Sequence, residues 1–231
     1  MTLWAVVPVK PLRRGKSRLS SVLSENERTA LNKKLLVHSV DTLTQLPELE
    51  QVLVVSRDSE ALAIARLHGA RTVLEDSASQ LNIALARATA VATTYAARGV
   101  LILPADLPNI TPDDVRQLIS KMGSGASVVI APDHHRTGTN ALLVRPPGLI
   151  SYSFGENSFQ KHMAQIESRG VHVEVVEMPC LAQDVDYPED LTFLNGQIEE
   201  WLQDEDELHP HKVGGYYSEL IANGGIGSQE G

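Results

Sequence analysis

The chain has 231 residues, 29 of them acidic and 20 basic, with a single cysteine, Cys180. That length suits one α/β domain with a sizeable core, and the acidic balance argues against a nucleic-acid binder, which would carry a basic face. One cysteine excludes an internal disulfide or a Cys-rich metal site, and with no apolar run near ~18 residues and no signal-peptide core the expectation is a soluble cytoplasmic protein that enters no membrane.

Leu3–Pro8 reads as an apolar strand that breaks into a loop carrying Lys10, Arg13, Arg14, Lys16 and Arg18. Ligands of open α/β sheets sit in the crevice beyond the carboxyl ends of the strands, so five cations there suit phosphates. The plain alternative is a solvated basic loop. A long helix opens at about Ser24, where Ser24 and Glu27 make an S-x-x-E capping pattern. Gln51–Ser56 is a buried strand, Asp58–His68 a helix stopped by Gly69, and Arg71–Leu74 a short strand. Alanine-rich Ser79–Arg98 is helical and closed by Gly99. Val100–Pro104 is another apolar run, followed by a helix over Thr111–Met122 that Thr111-Pro112-Asp113-Asp114 opens, with Thr111 placed to cap it and Pro112 in its first turn. Val128–Ala131, Ala141–Arg145 and Val171–Val176 are strands, while Ser158–Arg169 and Tyr187–Leu202 are helices.

Strands that are continuously apolar are covered by helices on both faces. The expected fold is α/β, a single-domain three-layer α/β/α sandwich around a mostly parallel, Rossmann-like sheet spanning residues 1–203. From Asp204 onward the chain turns acidic and then glycine-rich, the composition of a mobile tail over 204–231. In that tail Tyr216, Tyr217 and Leu220 are the one cluster able to dock.

Gly15-Lys16-Ser17 imitates the end of a P-loop, but the glycine required five residues earlier is Lys10. No G-x-G-x-x-G follows a strand either. In Leu101–Pro108, LILPADLP, an apolar strand delivers Asp106 to its carboxyl end, where a carboxylate suits Mg²⁺. In Asp184-Val185-Asp186 the alternation of an extended segment turns both carboxylates to one side, toward the same metal as Asp106. Glu189 and Asp190 open the next helix after Pro188 and read as structural. Arg136–Asn140 (RTGTN) and Phe154–Ser158 (FGENS) offer hydroxyls and glycine amides of the anion-binding kind. His134 and His135 read as solvated, and Cys180 as inert.

Taken in order, AVVPVKPLRRGKSRL, LPADLP, RTGTN, FGENSFQKH and DVDYPEDL resemble the CofC/FbiD family of guanylyltransferases in coenzyme F420 biosynthesis, over about positions 3 to 195. The resemblance implies a nucleotidyltransferase-type fold and transfer of GMP from GTP to phosphoenolpyruvate or 2-phospho-L-lactate, with diphosphate released. It implies Mg²⁺ on Asp106, Asp184 and Asp186, and the acceptor on Thr139, Gly155 and Ser158. Lys10, Lys16 and Arg18 are the candidates for the nucleotide's triphosphate, with Lys16 and Asp106 acting in catalysis. The attacking phosphate oxygen is already anionic, so no general base is required. The expected partners are GTP and a small phosphorylated acid, without nucleic acid or membrane, and a homodimer is compatible with this reading. The rivals are a nucleotidyltransferase acting on a sugar phosphate or molybdopterin, and a non-catalytic nucleotide-binding module.

Overall fold

A computed structural model describes residues 2–75, 80–194 and 198–203. The strands β1 (Leu3–Val9), β2 (Leu49–Ser56), β3 (Arg71–Leu74), β4 (Gly99–Ile102), β5 (Ser127–Pro132), β6 (Thr139–Arg145) and β7 (His172–Val175) form one sheet in the order β3-β2-β1-β4-β6-β5-β7. β6 runs antiparallel to both its neighbours, and the other pairings are parallel. The expectation of a mostly parallel sheet is met. The strand order turns back between β1 and β4, which opens a crevice at their carboxyl ends.

Helices α1 (Glu25–Thr44), α2 (Ser59–Leu67) and α4 (Pro112–Ser120) cover one face, and α3 (Leu81–Thr94) and α5 (Ser158–Ser168) the other. Strand alternation divides β1 between them. Leu3, Ala5 and Val7 join Leu36 and Val40 of α1 and Leu62 of α2, whereas Trp4 and Val6 join Leu85 of α3 and Ile166 of α5. The caps read from sequence are present. Ser24 and Glu27 satisfy each other's backbone amides at α1, and Thr111 and Asp114 do the same at α4.

A third cluster decides where the site lies. Leu19, Leu23, Leu31, Leu35, Val185 and Leu194 are buried together. They fasten a 3-10 turn at Ser17–Ser21 and the 184–194 segment onto the outer side of α1. Burying one leucine contributes roughly 1.5–3 kcal/mol. Five leucines and a valine readily outweigh the roughly 1–2 kcal/mol of placing Lys16 in left-handed backbone at φ 54°.

Two expectations need correction. Tyr187–Leu202 is not one helix. It is a 3-10 segment, Pro188–Leu194, followed by a short helix α7 at Ile198–Leu202. The Asp190 carboxylate accepts from the amides of Asp186 and Tyr187 while Leu194 enters the third cluster, and these tertiary demands override helical propensity. Gly99 does not stop the preceding helix either, because α3 ends at Thr94 and Gly99 already belongs to β4. A Cβ there would come within 2.6 Å of Leu3 Cδ2, so the glycine serves close strand packing. A one-turn helix, α6 (Pro179–Ala182), has no counterpart in the sequence reading. Ser79 and the tail cluster Tyr216, Tyr217 and Leu220 lie outside the described residues.

Candidate active site

The basic loop is held from below. Leu12 N–H donates to Asp58 Oδ2 at 2.8 Å, while Asp58 Oδ1 caps α2 through Glu60 N–H at 2.9 Å. Asn32 of α1 donates to the Leu12 carbonyl at 2.6 Å, and a Cβ on Gly15 would collide with that same amide. Arg14 and Gly15 amides both close on the Pro11 carbonyl at 2.9 Å. This tight turn sends Arg13 and Arg14 into solvent and tucks Lys16 inward, its side chain only 7% exposed. Lys16 Nζ stands 3.2 Å from Asp186 Oδ1 and 3.7 Å from Asp106 Oδ2. Arg18 reaches Asp186 Oδ2 at 3.3 Å and lies over the Tyr187 ring at 4.8 Å. Lys10 is exposed and close enough to act on Asp106 and Asp186 by charge.

Asp106, Asp184 and Asp186 each turn an oxygen toward a common point, all within 4.8 Å of one another. Two separate parts of the chain meet here because Val185 N–H donates to the Asp106 carbonyl at 3.1 Å. Asp190 grips the amides of Asp186 and Tyr187 at 2.9 and 2.7 Å, the structural role read for it. Burial pushes the Asp106 carboxyl up, against the pull of Lys16. Asp184 is raised to about 6 by burial and then by Asp106, although Asn140 donates to its Oδ1 at 2.9 Å. Burial also opposes ionisation of Asp186, but Lys16, Lys10 and Arg18 together hold it below the usual carboxylate range. Asp106 Oδ1 is buried without any hydrogen-bond partner. Such an orphan acceptor requires an explanation, and a cation supplies one. Three carboxylates with no nitrogen or sulfur ligand suit a hard ion such as Mg²⁺.

Because β6 is antiparallel, its first residues sit at the same sheet end as the last residues of β4 and β5. Thr139 and Asn140 point to opposite faces, Asn140 to Asp184 and Thr139 toward α5. Ser158 Oγ donates to Thr139 Oγ1 at 3.1 Å, and His162 Nδ1 lies 3.1 Å from the same oxygen. All three residues are nearly buried, with exposures of 5% for Thr139, 1% for Ser158 and zero for His162. Thr137 O accepts from Phe159 N–H at 3.1 Å, joining the RTGTN loop to the start of α5. Gly155 adopts φ 116°, which L side chains rarely adopt. Lys16, Arg136 and Asn157 are three of the four non-glycine residues in left-handed backbone among the described residues, and all three lie in these loops. Such strain concentrates where function over-determines the backbone.

Three participants carried no assignment from sequence. Asn140 lay in the RTGTN motif without a role. His162 sat within FGENSFQKH. Asn82 of α3 clamps Phe154 with both ends of its amide, donating to the carbonyl at 3.1 Å and accepting from the N–H at 2.7 Å. No local pattern signals that long-range pairing. His134 and His135 are exposed, their rings close to each other at 3.7 Å and tilted by 43°. The Cys180 thiol is pushed up to about 12 by burial and by Asp114, which agrees with its inert reading.

The family described as guanylyl transferase CofC like matches residues 3–200. The chain belongs to this family. It is 46% identical over 194 residues to the phosphoenolpyruvate guanylyltransferase of Rubrobacter xylanophilus, covering 84% of this chain and 94% of that one. It is 36% identical over 191 residues to the 2-phospho-L-lactate guanylyltransferase of Methanothermobacter thermautotrophicus, covering 83% of each. Among solved structures, a nucleotidyl transferase from the same Methanothermobacter species superposes with a TM-score of 0.62 at 16% identity, over 86% of this chain and 98% of that one. That likeness supports the α/β nucleotidyltransferase-type fold. No helix among the described residues is long and apolar enough to cross a membrane.

Proposed function

We propose that this chain transfers GMP from GTP to the phosphate of a small phosphoacid, phosphoenolpyruvate or 2-phospho-L-lactate, releasing diphosphate in coenzyme F420 biosynthesis. The observation that carries this reading is the pairing of Lys16 with the Asp106–Asp184–Asp186 cluster at the switch point of the sheet. Phosphoryl-transfer catalysis is mostly positioning and charge neutralisation, and both means are concentrated there.

The three aspartates would hold Mg²⁺, which when bound neutralises charge on the reacting phosphoryl group and orients it. Lys10, Lys16 and Arg18 bind the triphosphate. The ammonium of Lys16 has three donors; one is used on Asp186 while Asp106 is met only as an ion pair at 3.7 Å, so donors are left for phosphate oxygens. Thr139, Gly155 and Ser158 take the acceptor, whose phosphate oxygen attacks the α-phosphorus without a base, since it carries no proton to remove. Diphosphate leaves on the Lys10 and Arg18 side.

Diphosphate release, measured across GTP, ATP and CTP against phosphoenolpyruvate, 2-phospho-L-lactate, 3-phosphoglycerate and a sugar phosphate, tests the assignment. Turnover is expected with GTP and one of the first two acids. Turnover confined to a sugar phosphate would replace the acceptor. No turnover with any pair, in a chain that still binds nucleotide, would leave a binding module.

A further inference from the structure

The proton inventory around His162 is closed by hydrogen-bond chemistry. Ser153 N–H donates to His162 Nε2 at 2.9 Å. A backbone amide cannot accept, so Nε2 carries the lone pair. Burial lowers the affinity of the ring for a second proton, to a pKa of about 4. The single ring proton therefore sits on Nδ1 and points at Thr139 Oγ1, 3.1 Å away. The ring is wedged edge-on against Phe154 at 5.1 Å, which holds its orientation.

His162, Thr139 and Ser158 bring three donor protons to two hydroxyl oxygens. Nδ1–H goes to Thr139 Oγ1, and one hydroxyl proton is used between Thr139 and Ser158. One hydroxyl proton is left over. With the opposite tautomer, Nδ1 would accept from Thr139 and Thr139 from Ser158, leaving none, and Ser153 N–H would meet another proton.

We infer that His162 is a positioning residue for the acceptor, ordering the Thr139–Ser158 pair through Nδ1–H so that one hydroxyl proton is free to donate to an anion. The inference rests on the assignment of Thr139 and Ser158 to the acceptor phosphoacid. Among the described residues the ring nitrogens hydrogen-bond to Thr139 and Ser153, so the ring acts on the acceptor through the hydroxyl pair.

Two substitutions separate the ring nitrogens. His162→Asn keeps a donor near the Nδ1 position, whereas His162→Gln keeps an acceptor near Nε2 and loses that donor. Saturation kinetics with phosphoenolpyruvate and GTP on the full chain should show His162→Gln raising acceptor KM roughly tenfold with GTP KM unchanged. His162→Asn should restore most of the acceptor KM even though Ser153 N–H is left unpaired. Equal acceptor KM in the two variants, or parallel loss toward GTP, would overturn the inference. Ser158→Ala with unchanged acceptor KM would instead overturn the acceptor assignment, and the inference with it. Should either variant fail to fold, the nitrogen NMR spectrum of the unsubstituted chain at neutral pH decides. A protonated Nδ1 on His162 is the expected result, and an Nε2–H tautomer ends the inference.

Discussion

Lys16 Nζ stands 3.7 Å from Asp106 Oδ2, across the crevice between the loop that follows β1 and the loop that follows β4. The pair joins the two halves of the sheet at the point where strand order reverses. It also leaves Asp106 under-compensated, because its other oxygen is buried with no partner. The role proposed for Asp106 in activity and the demands of stability therefore pull in opposite directions.

Asp106→Asn should lower turnover at least a hundredfold while leaving the metal-free melting temperature unchanged or higher. Burial disfavours the Asp106 charge, so its removal relieves a desolvation cost even as it deletes a proposed cation ligand. Calorimetry without divalent ions and a diphosphate-release assay read the two effects. Near-native turnover at limiting Mg²⁺ would sink the metal assignment.

Lys16→Ala should reduce kcat/KM for GTP by roughly a hundredfold, the scale of losing one electrostatic contact to a reacting phosphate. Arg13→Ala should stay within about twofold, since Arg13 is exposed and turned away with Glu27, Lys33 and Glu60 around it. Steady-state kinetics on both variants separate a working cation from a solvated one; both variants unchanged would return the loop to a solvated surface.

Asp190→Ala should destabilise by about 2 kcal/mol, because two amides lose a charged acceptor. It should also weaken divalent-ion binding, since Asp186 loses its backbone anchor. Glu189→Ala, at the neighbouring exposed position, should do neither. Urea unfolding and Mn²⁺ titration calorimetry are the measurements, and identical behaviour of the two variants would remove Asp190 from the site.

Acid should weaken the fold through His162. Its folded pKa is pushed down to about 4, against 6.5 for an ordinary histidine. Between those values the unfolded chain binds the extra proton, so this contribution is complete above pH 6.5 and is lost as pH falls toward 4. The full loss is about 3 kcal/mol. His38, also lowered by burial, acts in the same direction. Asp184, raised to about 6, acts in the opposite one in the metal-free chain, so the comparison must be between variants. From pH 7 to 4.5, His162→Asn should lose about 2 kcal/mol less than the unsubstituted chain. Equal losses would show that the ring is already charged in the folded protein.

A chain ending at Gln203 should fold and turn over as the full chain does, because the family match stops at residue 200. Melting temperature and kcat on the shortened chain check this. A marked drop in either would mean that the Tyr216–Tyr217–Leu220 cluster docks on the folded body.

The order of strands and helices, the caps at Ser24 and Thr111, and the strand-end placement of Asp106 were legible in the sequence. Apolar runs, capping pairs and proline positions act over a few residues, and local chemistry is what a sequence displays. The alternation of Asp184 and Asp186 and the structural role of Asp190 were legible for the same reason. The sequence already set Lys16 apart from Arg13, but the cause lies in the fold, since Asn32 and Asp58 shape that turn from 20 and 46 residues away from Leu12. The fold likewise split the last predicted helix, set β6 antiparallel so that Thr139 reaches the strand ends, and placed His162 against Thr139 and Ser153, and Asn82 against Phe154. Those outcomes depend on buried polar groups finding partners distant in the chain, a condition that is satisfied only once the layers close.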